Sequence, residues 1–286
     1  MNPVADKQVR RPTLWDRLMQ SGTGFTGLIL ALLVVLAALL APLVSPYDPL
    51  SQDILARLSG PSIQHWLGAD NFGRDLLSRV IYGFRISLSI AFSAVGFALF
   101  FGATIGLVAA YAGGWADRLL MRLMDVLLAF PIILLAIGIL AVLGPGTANT
   151  ALAIGIVYLP VFARLARGPA LSVLSWEYVA AARALGARGW RIIFLHVAPN
   201  IFAPIMVQTT LSLSTAILVE ASLAFLGLGT QPPTPSLGLM LSDSRDFMLL
   251  SPWASVFSGL AILLASLGFN LLGDSLRDLL DPNLRS

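Results

Sequence analysis

The sequence predicts an all-α, polytopic membrane protein with six transmembrane helices, and three observations carry that expectation. Of its 286 residues 57% are hydrophobic and 12% are charged, against roughly one quarter charged in soluble domains. The charges are also segregated: none occurs from Leu18 to Tyr47, Ile86 to Ala116, Val126 to Ala163, Ile192 to Val219 or Phe247 to Gly273. Each interval holds at least one apolar stretch of about 20 residues, the length that crosses a bilayer. The interval from Val126 to Ala163 is long enough for two, joined by the hairpin Gly144-Pro145-Gly146. Third, the basic residues are asymmetric. With the N-terminus in the cytoplasm, Lys7, Arg10, Arg11, Arg17, Arg118, Arg122, Arg164, Arg167, Arg183, Arg188, Arg191, Arg277 and Arg285 fall inside, leaving Arg57, Arg74, Arg79, Arg85 and Arg245 outside. That bias fixes the orientation.

The same asymmetry accounts for a pI near 9.7 without a nucleic-acid partner, since the basic residues serve orientation. Cysteine is absent, which removes disulfide frameworks and thiolate metal sites from consideration.

Taken in order, the polar and basic lead of residues 1–23 precedes an apolar run from Gly24 to Val44. Its length suits an uncleaved first helix better than a signal peptide. An external segment follows, broken early by Pro46, Pro49 and Pro61. Within it, Asp75 and Arg79 have the spacing of an i, i+4 ion pair at the start of a helix striped by Leu76, Leu77 and Val80, expected to lie along the outer membrane surface. His65 has no Cys, His or Glu at ligand spacing, so it reads as an ordinary polar residue.

The second span, Ile86 to Tyr111, carries Ala94, Ala98, Gly102, Gly106 and Ala110. Small residues at every fourth position let another helix approach closely, either within the subunit or across a subunit contact. Before the third span, Arg122 and Asp125 are spaced to neutralise each other at the membrane boundary. Pro131 is expected to kink the helix that follows. The fourth span ends at Arg164 and Arg167, with a bend expected at Pro160.

A charged loop from Glu177 to Asn200 then separates two long apolar runs. Its pattern is two short helices: one capped by Ser175 and stopped at a left-handed Gly186, and a second from about Trp190 to Val197 that stops before Pro199. Such a loop suits a lever that pushes on a partner. The fifth span, Ile201 to about Leu226, holds Glu220, the one charge inside a predicted span. Gln208, Ser212, Ala216, Glu220 and Ala224 form a polar ridge at four-residue steps. Charge at that depth marks a pathway or outer-gate residue, or a structural carboxylate with a partner. The dense glycines and prolines from Phe225 to Gly238 imply an outer loop without regular helix. A sixth span runs from about Pro252 to Leu272.

Two blocks beside the lever sharpen the reading. His65-Trp66-Leu67-Gly68-Ala69-Asp70-Asn71-Phe72-Gly73-Arg74-Asp75 and Phe225-Leu226-Gly227-Leu228-Gly229-Thr230-Gln231-Pro232-Pro233, with Ala180-Ala181-Ala182, Gly186 and His196-Val197-Ala198-Pro199-Asn200 between them, resemble one family. It is that of the binding-protein-dependent ABC importer permeases, in the C-type subunit of the dipeptide, oligopeptide and nickel systems. The lever resembles the family's EAA loop, with Ala180 where the motif usually begins with glutamate.

The resemblance implies a type I ABC importer transmembrane domain and a non-catalytic subunit. Glu177, Ala181, Ala182, Arg183, Leu185, Gly186, Ala187 and Pro199 would couple to ATPases, and Gln208, Ser212, Ala216 and Glu220 would line the pathway or gate. Implied partners are a second homologous permease subunit, two ABC ATPase subunits that hold ATP and Mg, an external substrate-binding protein and the lipid bilayer. No cofactor is expected on this chain. It would sit in a bacterial inner membrane with both termini cytoplasmic: residues 1–85 as N-terminus, first helix and external segment, 86–275 as the core with a coupling loop at about 168–200, and 276–286 as a tail. Other classes fit less well. A secondary transporter or channel needs its own ion pathway, and an intramembrane hydrolase needs a catalytic constellation that no spacing here supplies.

Overall fold

The computed structural model describes residues 21–280; Lys7, Arg10, Arg11, Arg17 and Arg285 lie outside the described residues. Ten helices follow one another: α1 (Gly22–Leu39), α2 (Ala41–Val44), α3 (Leu76–Ala112), α4 (Gly114–Leu128), α5 (Ile132–Leu143), α6 (Thr147–Leu174), α7 (Glu177–Ala184), α8 (Gly189–Phe225), α9 (Leu237–Ser244) and α10 (Trp253–Leu280). By length and composition α1, α3, α6, α8 and α10 can each cross a membrane, and α4 with α5 makes a sixth candidate only when the bent pair is taken together. The long helices overrun the apolar intervals at their polar ends. α3 therefore runs through residue 85 and α10 through residue 275, and the surface helix expected before the second span is simply the first two turns of α3.

The small-residue ridge of α3 is an internal contact. Ala94, Ala98, Gly102, Gly106 and Ala110 are all buried, and the groove they form receives α6. A Cβ added at Gly102 would lie 2.6 Å from the Leu159 carbonyl oxygen and 2.9 Å from Phe162 Cβ, and one at Gly106 would overlap the Ala163 carbonyl. Backbones this close are held by dispersion contacts along the whole interface, which is how helices associate where water supplies no drive. A second such contact joins α1 to α10. There a Cβ at Gly27 would meet Leu272 N at 2.6 Å, and one at Gly268 would meet Ala31 N at 2.8 Å.

The third span needs the largest revision. A kink at Pro131 was expected; instead the chain turns through 94° between α4 and α5. Proline has no N–H to give and drives the residue before it out of helical geometry, and Pro131 itself is extended, with ψ 136°. α4 is amphipathic, with Trp115, Leu119, Leu123 and Val126 on one exposed stripe. Its acidic residues face the other way. Arg122 and Asp125 do not pair: Asp125 accepts from Arg164 Nη2 at 2.6 Å, and Asp117 takes a two-pronged bond from Arg167 Nε and Nη2 at 2.5 and 2.6 Å. Both arginines belong to α6, which continues past them and through Pro160 and Pro169 to Leu174. For Asp117 the reach across to a second helix is favoured because the forked guanidinium of Arg167 satisfies both its oxygens at once, which an i, i+3 neighbour does poorly.

The segment between α2 and α3 is folded against the bundle. Asp75 is the N-cap of α3: Oδ2 accepts from the Ser78 N–H at 2.8 Å, and Oδ1 is 2.9 Å from His65 Nδ1. Turned toward the free amides, it cannot also reach one turn ahead, so the Asp75–Arg79 pair is not formed. Arg79 lies instead 3.4 Å from Asp70, which also holds Arg74 at 2.6 Å. Only 1% of Arg79 and 6% of Arg74 are exposed. Asp243 on α9, half-buried, stands near this group; partial burial pushes its carboxyl up, against the opposing pull of Arg79 and Arg74. α9 was not anticipated. Ser236 caps it by accepting from Leu239 N, and Gly238 lies so close to the Ala221 carbonyl that a Cβ has no room.

Candidate functional site: a lever between two long helices

At the end of the bundle formed by the α3–α4 turn and the end of α6, the chain leaves the packed core to form the predicted lever. Ser175 does not cap it. Its backbone is still helical and its hydroxyl donates back to the Ser172 carbonyl at 2.7 Å, so Trp176, with an extended backbone, takes the cap position of α7. The stop is as expected: Gly186 has φ 83°, the left-handed conformation that costs other residues. The Gly186 N–H donates to the Arg183 carbonyl and the Ala187 N–H to that of Ala182, each at 3.0 Å, which is the double closure of a Schellman turn.

One side chain seats this helix. Val179 is fully buried in a small cluster with Ala110, Ala166, Ala170, Ile192 and Ile201, drawn from α3, α6 and α8. Glu177, Ala181, Arg183 and Gly186 are exposed, Leu185 at the tip is 90% exposed, and Ala182 and Ala187 are partly covered. The outward face is thus small-residue backbone with one apolar tip, flanked by exposed Trp176, Trp190 and Phe194. Its chemistry is that of a protein contact.

Beyond Gly186 the second half does not stop at Pro199. Gly189–Arg191 opens a helix, Ile192–Val197 forms a wide turn closed by the Ala198 N–H on the Ile193 carbonyl, and the chain continues as one helix to Phe225. Widening the turn is how a helix absorbs a proline that cannot donate and would clash with the preceding turn. Asn200 Nδ2 donates to the His196 carbonyl at 2.6 Å and lies 3.2 Å from Tyr178 Oη, so a residue of α7 is tied to the first turns of the fifth span. Neither Tyr178 nor Asn200 stood out in the sequence as a site residue; their signal is visible only once the loop is folded.

The polar ridge of α8 divides. Ser212, Ala216 and Glu220 are buried within the subunit, while Gln208, which donates to Ser212 Oγ at 3.1 Å, is half-buried on a cleft of about 610 Å³ bordered by Leu165, Pro204, Leu211 and Arg277. Glu220 is fully enclosed and forms no ion pair among the described residues. The hydroxyls of Ser87 and Ser236 are within its reach, yet neither carboxyl oxygen has a bond of good geometry. Between Gln208 and Glu220 the exposed polar residue is Thr215, one step round the helix, which accepts from Tyr158 Oη at 2.8 Å.

With this geometry in hand, comparison with known proteins is specific. Residues 102–286 match the family model described as binding-protein-dependent transport system inner membrane component, and residues 13–61 match that of the N-terminal TM domain of oligopeptide transport permease C. The chain is 48% identical over 289 residues to a dipeptide transport system permease protein from Alkalihalophilus pseudofirmus, covering 100% of this chain and 95% of that one. It is 46% identical to a di/tripeptide transport system permease protein from Pseudomonas aeruginosa, covering 99% and 97% of the two chains. To a glutathione transport system permease protein from Pectobacterium atrosepticum it is 44% identical, covering 99% and 95%. Among solved structures it resembles a chain of the MetNI methionine ABC transporter in an inward-facing conformation, with TM-score 0.58 and 15% identity over 72% of this chain and 98% of that one. That likeness concerns the fold. A bundle of apolar helices, a folded segment before the second span and an exposed two-part lever therefore have one reading: the chain belongs to the binding-protein-dependent transport system inner membrane components, as a permease subunit of an ABC importer.

Proposed function

We propose that this subunit forms half of a translocation pathway for short peptides or glutathione-like solutes and is worked through α7 by ATPases on the cytoplasmic side. The substrate class is supported by the relatives, which are dipeptide, di/tripeptide and glutathione permeases. The observation that carries the mechanism is the exposed face of α7, fastened to the bundle by Val179 and closed by the turn at Gly186. In this reading both termini are cytoplasmic, a second permease subunit completes the pathway, an external binding protein delivers the solute, and ATP and Mg are held by two ATPase subunits.

Ala181, Ala182 and Leu185 enter a groove on an ATPase. Glu177 and Arg183 border the contact, and Gly186 with Ala187 keeps the helix short enough to fit. When ATP binding draws the ATPases together, the lever tilts, and because the second half runs without a break into α8, the tilt reaches the fifth span directly. Pro199 belongs to that transmission through the wide turn beside it. Gln208 is the ridge residue we assign to the pathway, supported by its place on a cleft; Ser212, Ala216 and Glu220 stand one layer behind it and keep that wall in register.

The test uses the complex purified through a tag on this chain and reconstituted in vesicles. Ala182→Asp puts a charge into a partly covered contact, and Gly186→Pro cannot adopt positive φ. Both variants should insert and should lose ATP hydrolysis stimulated by the loaded binding protein. Stimulation equal to that of the unaltered complex would overturn the coupling role. The natural absence of cysteine also allows Leu185→Cys to be labelled by a membrane-impermeant maleimide, which should react only from the cytoplasmic face.

A further inference from the structure

Tyr111 lies in the last turn of α3, outside every motif that marks the lever, yet one ring touches both halves of it. The Arg183 guanidinium of α7 lies over the ring at 5.6 Å from its centroid, within the range of a cation–π contact. Gly189, at the start of α8, packs against the same residue: a Cβ there would lie 2.7 Å from Tyr111 Oη and 2.8 Å from Cε1 and Cζ. The two contacts flank Gly186, the left-handed turn about which α7 and the start of α8 are joined. The residue before Tyr111, Ala110, is buried in the same cluster as Val179. Four residues before Ala110, Gly106 begins the close contact with α6.

From this juxtaposition we infer that Tyr111 is a positioning residue for coupling, a strut that holds the two halves of the lever in fixed register and passes their movement to the second span. The inference rests on the reading of the lever as the ATPase contact. Val179 anchors α7 and the Tyr178–Asn200 contact ties its first turn to α8, while the end at Arg183 and Gly186 has neither hold. A ring in contact with both the Arg183 guanidinium and the Gly189 backbone steadies that end against α3. It also explains the residue types: a side chain at 189 would push the ring away, and a flat aromatic side chain reaches both neighbours.

The experiment measures ATP hydrolysed per solute imported in vesicles containing the whole complex and its binding protein, with radiolabelled dialanine and glutathione offered separately. Tyr111→Ala should lower solute imported per ATP by about three- to tenfold, the size of effects seen along coupling routes. Tyr111→Phe keeps the ring and both contacts and should restore the ratio. Gly189→Ala leaves the tyrosine present but displaced, so it should lower the ratio by about twofold or more without touching the bundle core. A ratio unchanged in both Tyr111→Ala and Gly189→Ala, or as low in Tyr111→Phe as in Tyr111→Ala, would overturn the strut. If Tyr111→Ala does not assemble, Gly189→Ala alone decides by the same criterion. Failure here is separable from failure of the lever: an uncoupled Ala182→Asp beside normal Tyr111→Ala and Gly189→Ala removes only the strut, whereas a normal Ala182→Asp removes the lever reading itself.

Discussion

Replacing Gly106 by valine puts the close contact of α3 and α6 to a quantitative test. The first added carbon would fall within the Ala163 carbonyl group and 3.1 Å from Ala166 Cβ, and neither neighbour is the end of a flexible side chain. Relief therefore requires the two helices to separate, which loosens contacts from Ala94 to Ala110 as well as the one at the substituted site. Overpacking a well-filled interface costs about 1–3 kcal/mol, and loss of contacts along the ridge places this case at the upper end or beyond. Native stability is only about 5–15 kcal/mol, so the loss is a large share of the total. Gly96, on the same helix, has no atom within 4 Å of an added Cβ. Gly96→Ala should be neutral, or stabilising by about 0.5–1 kcal/mol through helix propensity. Thermal unfolding of the detergent-solubilised protein, followed by tryptophan fluorescence, reads both. If Gly106→Val and Gly96→Ala melt together, the helices do not meet at this ridge.

Three further outcomes follow from contacts described above. Removing the α4–α6 clasp with Asp117→Ala should cost about 1 kcal/mol, since the pair is only partly shielded from solvent, and the double exchange Asp117→Arg with Arg167→Asp should regain most of it; a double variant no better than the worse single one would deny the pairing. Arg79→Met removes one of the two guanidiniums beside Asp70 and Asp243 while Arg74 stays on Asp70, a loss of about 1–3 kcal/mol that should make the 45–75 segment more open to protease; resistance equal to the parent protein argues that Arg79 is dispensable there. Glu220 forms no ion pair among the described residues, so Glu220→Gln, with the same shape and polar reach, should keep uptake within about twofold, whereas Glu220→Lys should abolish assembly. Loss of uptake in Glu220→Gln comparable to that in the lysine variant would mean that the negative charge itself is required.

Which features were legible in the sequence depends on whether one residue or several decide them. Spans were visible because a charge-free interval is a property of the chain alone, and Gly186 because few residues other than glycine accept a left-handed turn. The lever's existence and its first stop were read for the same reason. Pairings were not. Asp75, Arg79, Arg122 and Asp125 each had a partner at helical spacing, but a cap, a neighbouring loop and a crossing helix offered better geometry. Nothing within residues 114–128 says that residue 164 lies opposite. Pro199 misled in the opposite direction, since a proline after a short helix usually ends it, whereas here one wide turn lets the helix continue. The ridge from Gln208 to Glu220 was read correctly as a line on one helix, but spacing does not say whether that line faces a cleft or a neighbouring helix.

The right-angled turn at Phe130-Pro131 has a consequence for where lipid can go. At 1.5 Å per residue, the 12 residues of α5 measure about 18 Å, well short of the roughly 30 Å of acyl chain. A corner within the acyl layer would release carbonyl groups where oil offers them no solvent. Phe130 and Pro131 are uncovered in the isolated chain. Wherever α5 is immersed, that flank of the molecule calls for water or another polypeptide over the corner, and the perimeter then divides into a greasy arc and an arc that shuns fatty acyl tails.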